Sequence, residues 1–133
     1  KVATAATLTN NSTTVLSLAG EAPTDHVWID LTNASTSNPK ITFPDGNWIQ
    51  YLSASAASPN TEVMIDCQRG LAIQKSMSSY FGGDRTGTYV NGLIRRNPYF
   101  PDWPRLDPVK YPSSTITTAG SGTMKLVYDP AYR

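Results

Sequence analysis

The stretch Thr61-Glu-Val-Met-Ile-Asp-Cys-Gln-Arg-Gly-Leu-Ala-Ile73 decides the fold class. Side chains along a strand point alternately to opposite faces, and Val63, Ile65 and Cys67 fall on one of them. Asp66 to Gly70 then supplies turn chemistry, with Gly70 as the left-handed residue of a bulged hairpin. Leu71, Ile73 and Lys75 follow on the return strand. The same grammar recurs on both sides. In His26–Thr32, Val27, Ile29 and Leu31 share one face, with Trp28, Asp30 and Thr32 on the other. Lys40 to Phe43 and Trp48 to Leu52 flank Pro44-Asp-Gly-Asn47, where Pro suits the first corner and Asp-Gly tolerates positive φ. Val15, Leu16 and Leu18 form a short strand, Tyr89 to Ile94 another. Ser114–Thr118 and Thr123–Tyr128 surround Ala119-Gly-Ser-Gly122.

Apolar residues do not recur at the three-and-four spacing of an amphipathic helix beyond two turns. The pattern predicts an all-β chain: an antiparallel β-sandwich of the jelly-roll type, with about eight to ten short strands and no substantial helix. Residues 1–12 read as an arm or an edge strand, and 13–133 as a single sandwich domain. The expected core is Val27, Ile29, Leu31, Ile41, Phe43, Val63, Ile65, Leu71, Ile73, Leu126 and Tyr128.

Composition agrees. The 133 residues hold 13 Ser and 16 Thr, with 9 Gly and 10 Pro, and only 16% are charged. Hydroxyls and turn formers at low charge suit sheets and tight turns, and 39% apolar content with a net charge of +1 is too apolar for a disordered chain. No run of 18 apolar residues suggests a membrane helix. The start, Lys1-Val-Ala-Thr, lacks an initiator Met and a secretory signal; a processed product, or a piece, the C-terminal one, of a longer chain, is expected. One cysteine, Cys67, excludes an internal disulfide and makes a reducing place of folding the default. Three Asn-x-Ser/Thr triplets begin at Asn10, Asn11 and Asn33, a number that chance supplies in so hydroxyl-rich a chain.

Charge is uneven along the chain. Residues 1–66 hold two basic and six acidic groups, and 67–133 nine basic and four acidic. Sheets that interleave the halves would erase this asymmetry. Halves kept apart would offer complementary patches for self-association, with Arg85, Arg95, Arg96 and Arg105 opposite Glu21, Asp25 and Glu62. The basic residues are scattered apart from Arg95-Arg96, so nucleic acid is not an expected partner.

Catalytic constellations are not legible. A serine or cysteine nucleophile needs an oriented base, yet His26 is the sole histidine and no G-x-S-x-G elbow exists. Asp45, Asp66 and Asp84 occupy turn positions, which their bonds to nearby N–H groups explain. Gly82-Gly-Asp-Arg-Thr-Gly87 lacks the Lys-Ser/Thr ending of a phosphate loop. Cys67 reads as a small core filler. One His and one Cys make no zinc site. No enzyme, cofactor or metal is therefore expected.

Residues 97–112 are the informative segment. They carry five prolines with Tyr99, Phe100, Trp103 and Tyr111. The expectation is an ordered extended loop, since so many aromatics are costly to leave in open coil. It plugs the open end of the sandwich or meets a protein partner. The alternative is a sugar platform, with Arg95 and Arg96 as neighbouring polar contacts.

The order of four motifs resembles the C-terminal domain of siphophage distal tail and minor tail proteins. Asn10-Asn-Ser-Thr13 leads to Val27-Trp-Ile-Asp-Leu31. Asn38-Pro-Lys-Ile41 precedes Pro44-Asp-Gly46. Glu62-Val-Met-Ile-Asp66 opens a hairpin. The chain closes on Gly122-Thr-Met-Lys-Leu-Val-Tyr-Asp-Pro-Ala-Tyr-Arg133. The likeness covers about residues 8–133. It departs at Arg105-Leu-Asp-Pro108, where the family has Leu-x-Pro-Gly, and at Asp129, where a basic residue is common. The resemblance implies a galectin-like sandwich in a ring or collar beneath the tail tube. This domain would point outward and meet tail or receptor-binding proteins, in a virion made in a bacterial cytoplasm. The galectin sugar motif is not present. A carbohydrate-binding module for host-surface glycans and a capsid or fibre jelly roll are the alternative expectations; none involves membrane insertion.

Overall fold

The computed structural model describes residues 4–74 and 87–132. Among these residues eleven strands form two antiparallel sheets. In chain order they are β1 (Thr4–Leu8), β2 (Thr13–Ser17), β3 (Val27–Thr32), β4 (Lys40–Thr42), β5 (Trp48–Tyr51), β6 (Val63–Asp66), β7 (Leu71–Gln74), β8 (Thr88–Tyr89), β9 (Ile94–Arg96), β10 (Ser113–Ala119) and β11 (Thr123–Tyr128). One sheet runs β1-β11-β3-β6-β7-β8 and the other β2-β10-β4-β5-β9. Two single 3-10 turns, Ser53–Ser55 and Asn91–Leu93, are the helical elements of the described residues. The fold is the expected all-β sandwich, with one strand more than the upper end of the expected range. The chain winds between its sheets, passing from one to the other after β1, β2, β3, β5, β8 and β10, as double-sheet jelly rolls do.

β3 and β6 lie between β11 and β7, and β4 and β5 between β10 and β9, with β1 and β2 at the edges. The two halves of the sequence are thus mixed within each sheet, not segregated one to a sheet. Arg85, the Gly-rich stretch 82–86 and Lys75 lie outside the described residues.

Val27, Ile29, Leu31, Ile41, Phe43, Val63, Ile65, Leu126 and Tyr128 join one buried core with Ile49, Tyr51, Ile116 and Met124. Tyr51 is fully buried there, and burial raises its phenol above the ordinary value. The expectation fails on β7. Asp66 pairs with Leu71 and Ile65 with Ala72, so the four-residue turn Cys67–Gly70 makes Ala72 the core-facing residue. A shift of one residue in such a pairing moves every side chain to the other face. Leu71 is half-buried instead, and Ile73 is buried outside the core cluster.

Ile73 shares its face with Met64, its partner on β6, and with Trp28 and Val127, which pair across β3 and β11. All four are buried. β3 is therefore buried on both faces, although its alternation of apolar with polar residues suggested one.

Candidate functional site

Loop 97–112 runs from β9 to β10 across one end of the sandwich, held by side chains that bond to backbone. Asn97 donates from Nδ2 to the Gly46 carbonyl at 3.0 Å, and its Oδ1 accepts the Tyr99 N–H at 3.0 Å. Asn47 reaches the other way, donating from Nδ2 to the Asp102 carbonyl at 3.1 Å. Both asparagines are buried, so these bonds spare polar groups that would otherwise be stranded. Farther along, Leu106 and Thr24 exchange backbone bonds, 2.8 Å from Thr24 N–H and 3.0 Å from Leu106 N–H. Leu106 is 1% exposed and belongs to the core. Asp107 then accepts the Val109 and Lys110 N–H groups at 3.0 Å each and closes the last turn before β10. The loop is a lid integral to the core.

The four aromatics of this loop do not form one platform. Tyr99 is 91% exposed. Phe100 lies beside Gly46. Trp103 packs against the core, its indole edge so near Gly70 that a Cβ there would stand 3.0 Å from Nε1. Tyr111 borders a separate depression with Pro44 and Lys110. Among the described residues no two of these four rings meet; the ring pair in contact is His26 with Trp28, edge to face at 6.2 Å. The arginines also part. Strand alternation turns Arg95 outward, where Nη1 donates to the Gly92 carbonyl at 3.1 Å. Arg96 turns to the other face, with its guanidinium carbon 5.0 Å from the Trp103 ring centre. Among the described residues its buried Nη1 has no hydrogen-bond partner, and the aromatic face is its electrostatic neighbour. The expected contact set Tyr99, Phe100, Trp103, Tyr111, Arg95 and Arg96 is thus spread over several surroundings.

Sequence reading missed the cluster around His26. Its Nε2 lies 2.8 Å from Gln68 Nε2, and Nδ1 lies 3.5 Å from Asp129 Oδ2. The side chain is 40% exposed while Asp129 is buried. An Asp–His pair invites comparison with hydrolases, but a nucleophile is needed as the third member. The nearby hydroxyl, Thr24 Oγ1, donates to the Asp129 carbonyl at 2.8 Å and accepts the His26 N–H at 3.1 Å. It is a structural tie between the two segments. No linear motif marks this cluster, because Gln68 and Asp129 come from distant strand ends.

Three shallow depressions lie on this end of the molecule, two sharing Asp25 and two sharing Arg105. Their volumes of about 170–240 Å³ fall below the roughly 300–1,000 Å³ of small-molecule sites. Cys67 borders one but is buried. Burial, and then the Asp66 carboxylate, raise its thiol pKa far above the ordinary value, which suppresses the reactive thiolate. The turn acids behave as turn residues: Asp66 accepts the Gln68 and Arg69 N–H groups and pairs with the Arg69 guanidinium at 3.1 Å. Asp45 accepts the Asn47 N–H. Among the described residues no three His, Cys, Asp or Glu side chains converge as metal ligands, and no helix is long and apolar enough to cross a membrane.

Compared with protein-family models, curated proteins and solved structures, the chain matches none.

Proposed function

We propose that this chain is a non-catalytic structural domain of a bacteriophage tail component, of the distal or minor tail type, which works through protein contacts in the virion. The observation that carries the reading is the closure of the sandwich end by loop 97–112. Trp103 packs on the core, and Asn97 of the loop and Asn47 opposite it tie the loop to the turns beneath, while Tyr99 stays exposed. The depressions described at this end are small, about 170–240 Å³ each. A pre-formed, hydrogen-bonded surface of this kind suits docking with little backbone movement. The order of motifs from Asn10 to Arg133 supports tail proteins as the class of partner.

The test is electron microscopy of intact phage particles that incorporate this chain, decorated with a gold-labelled antibody raised against it. Label at the distal end of the tail is expected. Label on the head, or particles that carry none while the chain accumulates free in the lysate, would overturn the reading.

A further inference from the structure

One flank of the sandwich is formed by β1 and β2, the edge strands of the two sheets. Residues 2–20 contain no charged side chain. An edge strand exposes a row of unpaired N–H and C=O groups, and proteins normally blunt such rows with charge, proline or a bulge. β2, Thr13-Thr-Val-Leu-Ser17, has neither charge nor proline. The opposite edge of its sheet, β9, carries Arg95 and Arg96, and β8 is only two residues long.

Hydrogen bonding identifies the free groups. The Leu18 N–H donates to the Pro112 carbonyl, and the Thr118 N–H to the Ser12 carbonyl. Bonded and non-bonded pairs alternate along an antiparallel ladder, so residues 12, 14, 16 and 18 face β10. Thr13, Val15 and Ser17 therefore turn their backbone groups outward. Val15 is central in this row, with a side chain 63% exposed.

We propose that a second copy of this chain pairs antiparallel along β2, about a twofold axis through Val15, to make one continuous ten-stranded sheet. The register is self-complementary. Rotation about Val15 sets Thr13 opposite Ser17 of the partner subunit, and Val15 opposite Val15 of the partner subunit. Each free N–H then meets a free carbonyl. No like charges are brought together, which would destabilise a cross-strand pair. β1, on the same flank, is equally uncharged, so the neighbouring sheet raises no repulsion. A strand that relied on charge would find nothing here to pair with. The contact is isologous and closes at two copies.

Sedimentation equilibrium of the 133-residue chain tests it. A monomer–dimer equilibrium is expected. Val15→Lys, which sets two ammonium groups across the axis, is expected to weaken the dimer by about tenfold or more, with the circular dichroism spectrum unchanged because the site is exposed. A second variant fixes the geometry. Directly opposed residues of a hydrogen-bonded pair lie about 5.5 Å apart at Cα, within disulfide range. Val15→Cys should thus cross-link on mild oxidation, whereas Val109→Cys, 62% exposed but off the edge, should not. A wild-type chain that stays monomeric at every concentration, a dimer indifferent to Val15→Lys, or equal cross-linking through Val109→Cys would each overturn the proposal.

Discussion

Removing the Trp103 side chain distinguishes a lid that belongs to the core from a ring displayed for a ligand. Truncating a fully buried aromatic to alanine costs about 3–5 kcal/mol. Trp103 is half-buried, packed on the core and against Gly70, with Arg96 over its face at 5.0 Å. A loss of about 2–3 kcal/mol is expected, of which the cation–π contact supplies about 0.5–1 kcal/mol. Unfolding entropy of about 2.1 cal/mol/K per residue amounts to roughly 0.28 kcal/mol/K for a chain of this length. Trp103→Ala should therefore lower Tm by about 7–11 °C, and Trp103→Phe, which keeps a ring beside Arg96, by clearly less. Differential scanning calorimetry at one protein concentration reads the shift. A Trp103→Ala chain that melts within about 2 °C of wild type would refute the reasoning, since that corresponds to roughly 0.5 kcal/mol, the range of an ordinary surface substitution.

Ile65→Ala, at a core position 1% exposed, should cost about 2–5 kcal/mol in a urea titration. Gly122 has φ +99°, and a methyl there would run into the Thr32 and Asn33 carbonyl oxygens. Gly122→Ala should lose about 2–5 kcal/mol by the same assay, from the unfavourable φ and the overlap together. Cys67 has its pKa raised in the folded chain by burial and then by Asp66, so its contribution is fully present below the unfolded value of about 8.5 and declines as pH rises above it. Wild type should lose stability above that pH more steeply than Cys67→Ala, and the native thiol should stay inert to a thiol reagent until the chain is unfolded.

Local features of the sequence carried the fold class. Alternation along Val27–Thr32 and Val63–Asp66 needs only the period of a strand, and Asp45-Gly46 and Asp66 to Gly70 need only the backbone freedom of a turn. The core faces of β3, β4, β6 and β11 follow from these. The core face of β7 does not. Its parity depends on pairing Asp66 with Leu71 across a four-residue turn, and a neighbouring register would have placed Leu71 and Ile73 inward. Trp28 looked like a residue on the polar side of β3 because alternation describes one sheet face at a time; its burial involves neighbours that only the assembled sheet supplies. Segment 97–112 was legible as an ordered, aromatic lid, because proline and aromatic content report a local propensity and a need for burial. How Tyr99, Trp103, Arg95 and Arg96 are distributed was not legible. Whether side chains close in sequence share a surface depends on which way each strand residue points and on which distant turns, at Gly46 and Gly70, lie beneath them. Those are relations between remote parts of the chain, and only tertiary packing decides them.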